Sequence, residues 1–201
     1  MAVTVWNGSR WSCTVAGLTP AALAIDRQLA ARPSNRTGQD GGMRIERRLA
    51  DLGLELPPPM QLPPGLTLPF PWVRLWPGRA FISGHGPLLP DGTLSPVTGK
   101  VGRDVTEEQA YDAARLTALA ILASLRHALG DLDRVTGWLR VFGMVNTAPG
   151  FTRTPAVING FSELILDLWG PDAGQHARSA IGVAELPFSL PVEIEAEVAV
   201  D

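Results

Sequence analysis

Residues 192–200 read VEIEAEVAV, and no other stretch limits the fold so tightly. Successive side chains of a strand point to opposite faces, so Val192, Ile194, Ala196, Val198 and Val200 form one apolar face. Glu193, Glu195 and Glu197 stand on the other face at intervals of roughly 6.6 Å. A sheet built on such a strand has one covered and one open side, and an amphipathic layer must cover the first. On this basis Glu195 and Glu197 read as the solvated side of an antiparallel sheet.

The chain offers two helices for that layer. Thr106 and Gln109 make a capping-box pattern before a helix that runs to about Leu129 and stops at Gly130. Its Ala110, Ala114, Thr117, Ile121 and Leu125 share one stripe, mostly of small residues, which allows close packing on a sheet. A second helix is expected from Thr152, with Val157, Phe161, Leu164, Ile165 and Leu168 on one side, ending in WGPDAG. Asn159-Gly160 inside it is also a hairpin-turn signal; the apolar spacing around the pair favours the helix.

Strands are expected from WVRLW and RAFISG around the turn pair Pro77-Gly78, and from RVTGWLRVFGMVN. Two more come from the tail HARSAIGVAELPFSLPVEIEAEVAV, split at ELPFSLP, and Asp91-Gly92 marks a further tight turn. The order is hairpin, helix, strand, helix, strand, strand, an α+β arrangement with helices on one sheet face. Upstream, LTPAALAIDRQLAA can form a short helix, and ARPSNRTGQDGG reads as a flexible linker. Residues 1–42 are therefore expected to be a flexible extension and residues 43–201 the folded domain. That domain opens on MRIERRLADLGLEL, whose Ile45, Leu49, Leu52 and Leu56 have helical spacing, followed by the stiff connector PPPMQLPPG.

Composition narrows the partners. Charged residues are only 18%, below the roughly 25% of an average soluble chain, so association with further subunits is expected to cover apolar surface. A net charge of −3 gives no global reason to expect nucleic acid or membrane. Cys13 is alone, and His85, His127 and His176 are far apart, so neither a disulfide nor a structural metal is expected. No apolar run reaches the ~18 residues of a span. The cytoplasm is the default location, although Arg10, Arg27, Arg32 and Arg36 permit a transit-peptide reading.

One residue of the tail stands apart. Arg178 shares a strand face with Ala180, Gly182 and Ala184, which would leave open volume beside a rigid cation. It reads either as a surface or ion-paired arginine, or as a bidentate grip for a small carboxylate.

FISGHGPLLPDGTL, VFGMVNTAPGFTRTPAVINGFSELI and the tail from HARSAIGV to VEIEAEVAV together resemble the Rid family (YjgF/YER057c/UK114, endoribonuclease L-PSP-like), and more its longer, chorismate-mutase-like branch. The likeness covers about residues 43–201. It implies a chorismate-mutase-like mixed sheet of six strands, two helices on one face, and a trimeric barrel with clefts between subunits. It also implies an enamine/imine deaminase that yields 2-keto acids and ammonium without a cofactor or metal. In that scheme Arg178 grips the substrate carboxylate and Glu193 directs the attacking water. Asn159, Ser83, Gly84, His85, Phe70, His176 and Ala180 would line the site.

Phe70 stands where the archetype has a tyrosine, Ala180 where many members have a cysteine, His176 in place of a proline and His85 in place of a glutamine. The two histidines are either core residues or replacement acid–base groups. The rival of a different class is a non-catalytic trimer that binds small carboxylates as a sensor or scaffold. RNA cleavage follows from a family name alone, for this acidic chain has one tyrosine and its tryptophans sit mostly in core-like patterns.

Overall fold

The computed structural model describes residues 3–6, 11–14, 43–60, 65 and 67–201. The chain divides into two compact units, Met1–Gly41 and Gly42–Asp201. In the first, strands β1 (Val3–Trp6) and β2 (Trp11–Thr14) pair antiparallel, Val3 opposite Thr14. The expected helix over 18–31 and the linker over 31–42 lie outside the described residues.

The second unit contains α1 (Arg44–Asp51), the hairpin β3 (Val73–Trp76) and β4 (Arg79–His85), α2 (Glu107–Leu129), β5 (Val135–Asn146), α3 (Thr154–Gly174), β6 (Ala177–Val183) and β7 (Val192–Val200). Its sheet has the order β3-β4-β7-β5-β6, antiparallel except for the β5–β6 pair. Five strands are present where the resemblance implied six. The proline-rich segment after β4 makes only one isolated bridge, Leu88 to Leu94, because Pro87, Pro90 and Pro96 lack the donors that a ladder needs.

Helices α2 and α3 cover one sheet face. Val192, Ile194 and Val198 are fully buried beneath them, Ala196 nearly so, and Glu193, Glu195 and Glu197 point to the open side. The capping box closes α2 from both directions: Gln109 N–H donates to Thr106 Oγ1 at 3.2 Å, and Thr106 N–H to Gln109 Oε1 at 2.9 Å. Asn159-Gly160 is helical, and the glycine is there for contact: a Cβ at 160 would lie 2.1 Å from the Tyr111 carbonyl oxygen of α2. Helix α3 breaks near its end at Gly170, ahead of Pro171. Helix α1 has no cap of its own; Asp133 accepts from the N–H groups of Arg44 (2.7 Å) and Ile45 (3.1 Å) and ties it to the loop after α2. Among the described residues no helix is long and apolar enough to cross a membrane.

Candidate functional site

The residues singled out in the sequence fall into two groups on opposite sides of the sheet. In the parallel register Val141 pairs with Arg178 and Gly143 with Ala180, so Arg178 and Ala180 share the helix-facing side of edge strand β6. Glu193 pairs with Met144 on the open side of β7, with β5 between the two strands. Two strand spacings are roughly 10 Å, and a sheet separates the faces. One chain by itself therefore does not bring Arg178 and Glu193 together.

On the helix side the guanidinium of Arg178 is fixed by three acceptors. It donates to Ser162 Oγ at 2.9 Å, Asn159 Oδ1 at 2.7 Å and the Pro155 carbonyl at 3.2 Å, all on α3. His176 completes the relay. Its Nδ1 lies 2.8 Å from the Gly174 carbonyl, which only accepts, so the proton sits on Nδ1 and Nε2 is bare. Ser162 then donates to Nε2 at 2.9 Å and accepts from Arg178. Burial, reinforced by the nearby Arg178 charge, lowers the His176 pKa against the opposing Gly174 bond, which keeps the ring neutral. A guanidinium carries five N–H donors, so these bonds leave two for a further acceptor among the described contacts.

Part of the space expected to be open along this face is taken up by side chains from elsewhere in the chain. A Cβ at Gly182 would meet Thr147 Oγ1 at 2.7 Å, a Cβ at Gly143 would meet Ile158 at 2.6 Å, and the Ala180 carbonyl accepts from Thr154 Oγ1 at 3.0 Å. Small residues here serve tight packing of α3 on the sheet.

On the open side a cavity of about 520 Å³ lies at the end of β4 and β7, with Glu193 in its wall. Gly84 makes room for that carboxylate: a Cβ there would stand 2.1 Å from Glu193 Oε1. Burial, and secondarily the Glu195 charge, raise the Glu193 pKa, the direction required of a general base working near neutrality. Phe70, half exposed, meets Trp72 edge-on at 6.1 Å and borders both this cavity and a second one of about 480 Å³ on the open sheet face. The second holds Arg74, Arg140, Glu195 and Glu197, so the two outer glutamates border a recess that their reading as a plainly solvated side did not include.

Ser83 and His85 support these walls from behind. Ser83 donates through its hydroxyl to the Pro71 carbonyl (2.9 Å) and through its N–H to the Trp72 carbonyl (3.0 Å), holding Phe70 and Trp72 in place. His85 is buried on the helix side, its Nδ1 2.6 Å from the Ser83 carbonyl and its Nε2 2.8 Å from Ser124 Oγ, with the Trp72 ring tilted against it at 4.9 Å. Burial lowers its pKa to about 4. Both ring nitrogens are occupied by the core.

Ser162 and the wall residues Trp72, Leu190 and Phe188 were not singled out in the sequence. Ser162 had a signal, since it lies three residues after Asn159 on the same helical side. Phe188 had none. It and Ser189 adopt left-handed backbone conformations, at φ 56° and 55°, which present its ring 70% exposed at the cavity rim. Gly99 N–H holds this turn through the Ser189 carbonyl at 2.7 Å, and Lys100 anchors its approach through Glu185 at 3.1 Å, the Ala184 carbonyl and Asn146.

Residues 46–192 match the family model described as "YjgF/chorismate_mutase-like, putative endoribonuclease". Protein TCP17 of Trypanosoma cruzi is 44% identical over 102 residues, 51% of this chain and 64% of TCP17, so the chain spans less than two thirds of that relative. Among solved structures, Atu1372 of Agrobacterium tumefaciens, a protein of unknown function, is 39% identical with a TM-score of 0.68, over 79% of this chain and 93% of that one. A protein of Shewanella oneidensis MR-1 with the same endoribonuclease description is 29% identical with a TM-score of 0.69, over 78% and 99%.

Proposed function

The chain belongs to the YjgF/chorismate mutase-like family, and from that premise we propose that it hydrolyses reactive enamine/imine derivatives of amino acids to 2-keto acids and ammonium. The observation that carries this reading is the pairing of two prepared groups: a guanidinium immobilised by Ser162, Asn159 and Pro155, and a half-buried carboxylate of raised pKa in an apolar wall. Because they face opposite ways in one chain, the working site lies between two copies, Arg178 from one and Glu193 from the next, within a homotrimer. The domain of residues 43–201 carries the site, and residues 1–42 are an extension to it.

The chemistry asks little beyond positioning and a fixed countercharge. Arg178 holds the substrate carboxylate. Glu193 takes a proton from water as the water oxygen bonds to the imine carbon and the C=N π pair moves to nitrogen. That proton then goes to the amino group of the carbinolamine, the C–N bond breaks with its electrons leaving on nitrogen as ammonia, and the remaining hydroxyl passes its proton through Glu193 to the ammonia as the keto group forms. Iminium and water are thereby converted to keto acid and ammonium. No cofactor is required.

A second reading, a trimer that binds small carboxylates without turnover, is favoured by His85, whose two nitrogens are committed to Ser83 and Ser124 and add no second acid or base to the cavity. Ribonuclease action has less support, since Arg74 and Arg140 on the open face are interleaved with Glu195 and Glu197. Ammonia release from imines generated in situ by an amino-acid oxidase decides among them. The deaminase reading expects acceleration by the protein and its loss, by at least a hundredfold, in Arg178→Ala. Saturable binding of 2-keto acids that depends on Arg178, with no added ammonia release, would establish the binder instead.

A further inference from the structure

The cavity at Glu193 has a size and lining that the reaction alone does not call for. We propose that its substrates are 2-imino acids with bulky apolar side chains of four or more non-hydrogen atoms, a refinement that rests on the imine-hydrolysis reading.

Three observations support it. At about 520 Å³ the cavity falls in the ~300–1,000 Å³ range of sites that enclose whole drug-sized ligands, far more than a three-carbon imino acid fills. Its walls are apolar, with Leu68, Phe70, Trp72, Leu94, Phe188 and Leu190 foremost. Of the polar side chains on its lining, Asp91 and Thr93 are turned on each other, with Asp91 Oδ1 accepting from Thr93 N–H at 2.9 Å and from its hydroxyl at 2.6 Å. Among the described residues Glu193 is the one carboxylate left to address the interior, so a polar reacting centre is set against a largely apolar chamber.

The floor and rim are shaped to match. A Cβ at Gly86 would strike Leu190 Cδ1 at 2.5 Å, and one at Gly84 would strike Glu193, so both positions are kept bare to seat these two wall side chains. At the mouth the left-handed turn at Phe188 and Ser189 holds an aromatic ring outward, where an apolar substituent entering the chamber passes beneath it. The imine carbon sits at Glu193, the carboxylate reaches the neighbouring copy's guanidinium, and the side chain occupies the chamber. Each methylene buried there raises kcat/KM by roughly fourfold.

The test measures kcat/KM for imines generated from alanine, norvaline, leucine, methionine and phenylalanine, with full-length wild-type protein and with Leu94→Trp. The expected result is a rise of at least tenfold from the alanine-derived imine to the leucine- and methionine-derived ones. Leu94→Trp should lower the leucine value at least tenfold more than the alanine value, with an unchanged circular dichroism spectrum. Equal rates across the series, or a preference for the alanine-derived imine, would overturn the assignment while leaving imine hydrolysis intact. If no imine is turned over, the hydrolytic reading fails and calorimetry decides the chamber separately. Tighter binding of 4-methyl-2-oxopentanoate than of pyruvate upholds it; equal or weaker binding overturns it.

Discussion

Glu193 and Arg178 are prepared for their tasks by different means, and the difference can be measured. The guanidinium is held by geometry, through Asn159 and a serine whose hydroxyl is itself oriented by His176. The carboxylate is tuned by environment, first by burial and second by the neighbouring charge of Glu195. Both causes raise its pKa, so a base at this position gains its active, deprotonated form at a higher pH than an ordinary glutamate. Replacing Glu195 with Gln removes the like charge and leaves the burial. The acidic limb of the pH profile of kcat/KM should therefore move down in Glu195→Gln. A limb that stays in place or rises would show that Glu195 does not act on Glu193. The guanidinium and the carboxylate stood out in the sequence because each occupies a defined position on an alternating strand. Ser162 did not, because its place three residues after Asn159 shows the helical side it shares but not the Arg178 and His176 side chains it meets there.

Helices α2 and α3 meet so closely at Gly160 that the residue there can carry no side chain. A methyl group would stand 2.1 Å from a backbone carbonyl of α2, which cannot swing aside as a side chain can. Gly160→Ala should therefore cost about 2 kcal/mol through overpacking, despite the better helix propensity of alanine. That corresponds to a fall in Tm of roughly 4–8 °C by calorimetry; an unchanged or higher Tm would show that the helices part freely. Most elements were legible from pattern: alternation in β7, the capping box of α2, Gly130 at its end, and the apolar stripe of α3 across a turn-like Asn-Gly pair. Gly182 of β6 was legible as small but not as filled space, because Thr147 reaches it from elsewhere in the chain. The sixth strand came with the family likeness, and the prolines around Leu88 work against it.

In the proposed trimer the two groups come from different chains, and this has a direct consequence for mixtures. Arg178→Ala and Glu193→Ala proteins should each be inactive, yet after mixing and subunit exchange a trimer of both kinds contains a site with an intact guanidinium and an intact carboxylate. Ammonia release should return to a fraction of the wild-type rate, on the order of a quarter, with a sedimenting mass three times that of the 21.5 kDa chain. Continued inactivity after demonstrated exchange would show that the two groups do not share a site between chains. Sequence alone does not reach this level, since register and facing are set by the parallel β5–β6 pair, a long-range contact that strand patterns leave open. The left-handed turn at Phe188 and Ser189 adds one last consequence. Two side-chain-bearing residues held in a conformation better suited to glycine act as a loaded spring at the chamber mouth. A glycine at 189 would unload it, giving a sturdier protein whose entrance discriminates less sharply among the molecules that try it.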